Sequence, residues 1–188
     1  ATKFRYSYTV AADGTPDLTA IQTRQQLQPI LKALASGDRD KAKTLAAAIR
    51  LKKAVAIAAQ LIEPFVATQS PAEYKGNDVS VPLTRFKPSS TKVGWGQPVY
   101  DRVPDEGMLL ESAGQFFETG IYAHAPARHV YQLDGKWNSL SGHVGLAAGH
   151  DGSVEFEIKG DGRTLWKSDV IKSSATVAFD INFDEVQQ

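Results

Sequence analysis

Phe116-Phe117-Glu118-Thr119-Gly120-Ile121-Tyr122-Ala123-His124-Ala125-Pro126-Ala127-Arg128-His129-Val130-Tyr131-Gln132-Leu133 sets a loop of small residues between two strand-like runs. Gly120 can take backbone angles closed to other residues, the alanines at 123, 125 and 127 leave room for close approach, and Pro126 stiffens the path. Tyr122, His124 and Arg128 are the groups such a loop can present to a ligand. After it, His129 to Leu133 alternates as a half-buried strand does.

Working outward, the same texture of short alternating runs cut by Gly, Pro and Asp extends from Val79 to Gln188. Val79, Val81 and Leu83 open it, and Gly94-Trp95-Gly96-Gln97-Pro98 reads as a loop because two glycines and a proline around a large ring cannot extend a ladder. Gly142 to Leu146 reads as a strand and His150-Asp151-Gly152 as a turn. Val154, Phe156 and Ile158 then alternate with Glu155, Glu157 and Lys159 up to an Asp161-Gly162 hairpin turn. Arg163 to Val170 returns, and Val177, Phe179, Ile181 and Phe183 alternate once more. Such a pattern predicts an antiparallel β-sandwich over residues 79–188.

Upstream the period changes. Residues 3–10 alternate, with Phe4, Tyr6, Tyr8 and Val10 on one face, and Asp13-Gly14-Thr15-Pro16 ends the run. Leu18, Ile21, Leu27, Leu31 and Leu34 fall at helical spacing, with Pro29 predicting a kink or break near Gln28 and Gly37-Asp38 a stop and a new start. A second helix is predicted from Asp38 to about Ala67 on the spacing of Leu51, Val55, Ala58, Ile62 and Phe65. Its Arg50, Lys52 and Lys53 read as a solvated face. The expected fold class is therefore α+β. A strand and turn (1–16), a helical hairpin (17–68) and a linker (69–78) precede the sandwich (79–188).

Lys plus Arg and Asp plus Glu both number 21, so no net field draws the chain to nucleic acid or anionic lipid. Cysteine is absent, which removes disulfides, thiolate nucleophiles and Cys-ligated zinc. No apolar run approaches the roughly 20 residues of a membrane span, so no membrane insertion is expected. The chain opens on Ala1-Thr2-Lys3-Phe4 without an apolar signal stretch.

The loop Gly120 to Arg128, with Ser89-Ser90-Thr91-Lys92-Val93-Gly94-Trp95-Gly96 before it and Val144-Gly145-Leu146, Gly152-Ser153-Val154 and Gly160-Asp161-Gly162 after it, resembles the NPCBM family. That family is also called NEW2 and is close to carbohydrate-binding module family 51. The resemblance starts at about Val79 and does not touch residues 1–75. It implies a galactose-binding-like jelly roll, a lectin-like module that binds carbohydrate without catalysis. Terminal galactose-type sugars are the implied ligand, and a secreted or cell-envelope setting the implied location. No cofactor is required, though sandwiches of this kind often hold a structural calcium. Members of the family continue past the position of Val186-Gln187-Gln188 into a last strand and an Asp/Gly-rich loop. The resemblance therefore also raises strand pairing with another chain, or a substitute strand from Lys3 to Val10.

A sugar offers hydroxyls in fixed directions and weakly apolar C–H faces, so its site needs an aromatic platform and anchored donors and acceptors. Trp95, Tyr122, His124 and Arg128 supply both and are the expected ligand-binding residues; the expected partner is a glycan. Each has a structural alternative: Trp95 plugging the core, His124 buried and holding carbonyls, Arg128 paired with Asp134 or Glu118. Trp137 and Trp166 are expected in the core, and Glu155, Glu157 and Asp161 on solvated surface. The functional alternative is a protein-interaction or spacer sandwich without sugar binding. A metal-dependent hydrolase is the sharper rival, since His124, His129, His143, His150 and Asp151 are all metal-ligating types. Their spacing matches no His-Glu-x-x-His helix, and there is no Gly-x-Ser-x-Gly elbow around Ser141. No enzyme is expected.

Overall fold

A computed structural model describes residues 9–10, 16–104, 109–172 and 175–188. Two short strands, β1 (Thr9–Val10) and β2 (Pro16–Asp17), pair antiparallel. Of the strand expected over Lys3 to Val10, Lys3 to Tyr8 lie outside the described residues, as do residues 11–15 of the turn. Among the described residues, Thr9 and Val10 pair with Asp17 and Pro16 rather than with the downstream strands.

Three helices follow where a hairpin of two was expected: α1 (Thr19–Ala35), α2 (Arg39–Ala46) and α3 (Lys52–Ile62). The Asp38 carboxylate caps α2 by accepting from the Lys41 backbone N–H at 2.9 Å. The long Ala-rich run divides at residues 47–51 because the Gln26 side-chain oxygen, on α1, accepts from the backbone N–H groups of Arg50 and Leu51 at 3.3 and 3.1 Å. Nor does α1 break at Pro29, whose ring lies on the exposed face where water can serve the carbonyl left without a donor.

Leu27 and Ile30 are fully buried, and Ile57, Ala58, Leu61 and Ile62 supply the opposing face. Each such Leu or Ile contributes about 2 kcal/mol. Val55 and Phe65, expected on that face, are 45% and 49% exposed. Leu109 and Phe116 belong to the same apolar cluster, so the helices are packed onto the downstream half of the chain. Thr23 is fully buried here, and its hydroxyl has no hydrogen-bond partner among the described residues. Thr23→Val exchanges that hydroxyl for a methyl of similar size and is expected to raise the unfolding free energy by about 1 kcal/mol in urea titration. A loss of stability would mean that the hydroxyl is bonded.

The β half begins later than Val79 predicts. Val79 is fully exposed, and Leu83–Arg85 form a 3-10 turn started by Pro82, which cannot donate to a ladder. The strands are β3 (Ser90–Lys92), β4 (Val99–Tyr100), β5 (Glu111–Ser112), β6 (Gln115–Phe116), β7 (Ile121–Tyr122) and β8 (Arg128–Val130). Next come β9 (Ser139–Gly145), β10 (Ser153–Val154), β11 (Glu157–Gly160), β12 (Arg163–Lys167), β13 (Ile171–Lys172) and β14 (Thr176–Asn182). Their pairing is antiparallel and nested twice. β3 pairs β8, β4 pairs β7 and β5 pairs β6; then β9 pairs β14, β10 pairs β13 and β11 pairs β12. Two long folded hairpins result, and the whole is α+β.

The second hairpin turns at Asp161 and Gly162, with φ of 48° and 81°, the left-handed pair that the Asp-Gly signal calls for. Asp161, expected to be solvated, also accepts from the backbone N–H groups of Gln187 and Gln188 at 3.1 and 2.9 Å. Val186 is buried beside it, and the Gln187 carbonyl accepts from the Leu133 N–H. The segment read as a linker is likewise bonded to the β half: Ala72 N–H donates to the Gln132 carbonyl, and the Trp137 indole N–H donates to the Pro71 carbonyl. Trp137 and Trp166 are half-buried rather than sealed in a core, Trp166 lying 5.4 Å from the Phe179 ring.

Candidate functional site

The nested pairing of β3 with β8 and β4 with β7 brings residues 94–96 against residues 123–127. Gly94 N–H donates to the His124 carbonyl at 3.1 Å. A Cβ at Gly94 would lie 2.4 Å from the Ala125 carbonyl oxygen and 2.8 Å from Pro126, so only glycine permits this approach. The Ala125–Pro126 bond is cis. Gly120, by contrast, is not at positive φ; what it provides is room, since a Cβ there would meet the Leu110 side chain at 2.5 Å.

Trp95 is 73% exposed, which excludes the core-plug alternative. It stands edge-on to His124, with ring centroids 4.9 Å apart and planes at 86°. His124 is half-buried and meets Tyr122 in the same manner at 5.4 Å, and Tyr122 meets His150 at 5.8 Å. The four rings thus form one row, with Trp95 exposed at one end and Tyr122 the most buried member between the two half-buried imidazoles. Tyr122, 9% exposed, lies in β7 beneath the two imidazoles and supports them.

The Tyr122 hydroxyl lies 3.4 Å from His124 Nε2 and 3.3 Å from His150 Nε2. One O–H can donate to only one of these nitrogens, so with neutral rings the other Nε2 must carry a proton and donate. His150 Nδ1 is 3.3 Å from the Ala148 carbonyl, and in the tautomer that carries its proton on Nδ1 the His150 Nε2 is the acceptor. His124 Nε2 then donates to the phenol oxygen. Its Nδ1 is consequently an acceptor, the group a sugar hydroxyl can donate to.

Arg128, in β8, is exposed and sits opposite the exposed Lys92 in the register of β3 with β8. Among the described residues it makes no ion pair with Asp134 or Glu118; Asp134 accepts from Gln132 instead. The structure therefore brings together Trp95, His124 and Tyr122, adds His150, and leaves Arg128 on the adjoining strand without contact to the rings. His150 carries a turn signal in sequence, and nothing local ties it to a tyrosine 28 residues away; the link arises from the folding of the second hairpin onto the first, through Ala148 N–H to the Glu111 carbonyl at 2.8 Å.

His143 packs against Phe117 at 5.5 Å, apart from this row. Among the described residues no three His, Asp or Glu side chains gather where an ion could be held. Asp101 and Asp161, carboxylates that a calcium site could draw on, are engaged with Gly120 N–H and Arg85, and with Gln187 and Gln188. No helix among the described residues is long and apolar enough to cross a membrane.

His129 has both ring nitrogens shielded from water without a partner among the described residues, and burial holds its pKa below the ordinary value. As pH falls, the unfolded chain takes up this proton near the ordinary value of about 6.5 before the folded chain does, so stability is lost below that pH. Between about pH 7.5 and pH 5 the urea midpoint should fall further for the parent chain than for His129→Phe. Equal falls would show that His129 is not responsible.

Over residues 80–188, more than half of the chain, the sequence matches the family model described as the NPCBM/NEW2 domain. Neither curated proteins nor solved structures give a match to the chain.

Proposed function

Because the chain belongs to the NPCBM/NEW2 domain family, a family of carbohydrate-binding modules, we propose that it binds terminal galactose-type glycans without catalysis, as an accessory module, at the Trp95 loop. The observation that carries this reading is the exposed indole of Trp95, packed perpendicular to the His124 ring. Its face offers an apolar platform to the C–H face of a pyranose. His124 Nδ1 accepts from one sugar hydroxyl, and the exposed fork of Arg128 donates to others, with Tyr122 and His150 fixing the imidazole behind. The two nested hairpins are the kind of unit that wraps into a jelly roll, and we read the β half as that fold. An exported or envelope-bound parent protein suits such a module.

Affinity at one shallow site is modest, because water competition and ordering costs consume most of the gain from a few hydrogen bonds. The test is a glycan array with the intact chain displayed multivalently. Retention on galactose-terminated glycans above glucose- and mannose-terminated ones is the expected result. Retention on none by a folded sample would favour the protein-interaction alternative.

A further inference from the structure

On the side of the segment that runs into the β half, Pro71, Tyr74, Gly76, Asp78 and Val79 meet Lys136, Trp137 and Asn138 around an open cleft of about 310 Å³. That volume is at the lower end of what small-ligand sites enclose, roughly 300–1,000 Å³. Five of these eight residues precede Ser80, where the family match begins, so the cleft is built jointly by the matched region and the segment before it.

The cleft is held open by bonds that fix its rings. Tyr74, Phe86 and Trp137 form an aromatic trio, with Tyr74 and Trp137 centroids 5.7 Å apart and tilted by 34°, and Phe86 edge-on to both. The Tyr74 hydroxyl is bonded to Asp78, and the Trp137 N–H to the Pro71 carbonyl at 3.2 Å. Neither ring is free to collapse into the space. The capacity that remains belongs to the rim: the second carboxylate oxygen of Asp78, the amide of exposed Asn138, and the ammonium donors of Lys136 not used on the Ala72 carbonyl.

We propose that this cleft is a second carbohydrate subsite, taking a neutral hexopyranose. One carboxylate and one ammonium on the rim leave no net charge for an ionic ligand, while hydroxyls can donate to Asp78 and accept from Lys136 and Asn138. The small accessible part of the half-buried Tyr74 and Trp137 rings meets the apolar side of the sugar, and the polar rim supplies most of the contact. Its occupant is placed in the sugar class partly because the Trp95 loop is read as a glycan site, but the cleft's residues are separate from that loop.

The three tryptophans separate the two sites. In a 1H–15N spectrum the indole N–H of Trp95 reports on the loop, that of Trp137 on the cleft, and that of Trp166 serves as a control. The probes are galactose, glucose, N-acetylgalactosamine and N-acetylglucosamine, each added to the intact chain at rising millimolar concentration. At least one sugar should move the Trp137 signal saturably, and still do so in Trp95→Ala. Asn138→Ala and Lys136→Ala, which leave the aromatic trio intact, should each weaken that response about tenfold. Movement of Trp95 alone would overturn the cleft and leave the loop reading standing; movement of Trp137 alone would do the reverse. Silence of both signals in a folded sample would overturn both. A Trp137 response unchanged in both rim variants would also overturn the assignment.

Discussion

Arg24→Met should lower the unfolding free energy by about 3 kcal/mol near neutral pH. Arg24 on α1 reaches across to the Glu111 carboxylate in β5 and lies 5.3 Å over the Phe116 ring. The two side chains are 28% and 16% exposed, so water serves neither well. Burial pushes the Glu111 carboxyl above its ordinary pKa even with Arg24 beside it. A carboxyl whose folded pKa exceeds its unfolded one costs stability as pH rises through that interval, and the cost is complete by neutrality.

Removing the guanidinium leaves that carboxylate buried and unpaired, which widens the interval. The defect of Arg24→Met should therefore shrink towards about pH 4 and be largely relieved by adding Glu111→Gln. Urea titrations of the two single variants and the double variant measure this directly. A pH-independent defect below about 1 kcal/mol would place the pair with ordinary surface ion pairs. The pair matters to function through position: β5 and β6 carry Phe116 into the helical core, and Glu111 also bonds the segment leading to His150.

Trp95→Ala should weaken binding of a galactose-terminated glycan by about 2 kcal/mol, roughly thirtyfold, in titration calorimetry. At 73% exposure the ring contributes little to the core, so the thermal midpoint should stay close to the parent value. That combination separates a ligand platform from a packing residue. His124→Ala should lose affinity too, but Trp95 would then lack the ring it packs against, so its effect mixes lost contact with lost orientation. Unchanged affinity in Trp95→Ala would remove the loop from the site.

Local chemistry in the sequence foretold the features that are themselves local. The Asp161-Gly162 turn needs only two residues able to take positive φ, and it forms as read. The Asp38 cap and the start of α2 depend on the next turn of chain alone. The division of the long Ala-rich run depends instead on the Gln26 side chain from another helix, which no periodicity within the run can reveal. Val79, Val81 and Leu83 alternate as a strand would, but Pro82 between them starts a 3-10 turn.

The site divides in the same way. A tryptophan between glycines was legible as a loop residue, but its exposure follows from the close approach of Gly94 to Ala125 and Pro126. The small-residue pattern places Tyr122 in the loop, whereas it lies in β7, paired with Val99 and buried. His150 enters only through contacts made after two hairpins have formed. Pairing across 28 residues of sequence leaves no mark at either end.

The most direct measurement is a crystal structure of the intact chain soaked with lactose, whose terminal ring is galactose. The expected result is density for that ring stacked on the outer face of the Trp95 indole, with a hydroxyl at hydrogen-bond distance from His124 Nδ1. A ring bound away from Trp95, or an empty loop in crystals that leave it open to solvent at saturating lactose, would contradict the assignment of this loop as the sugar site.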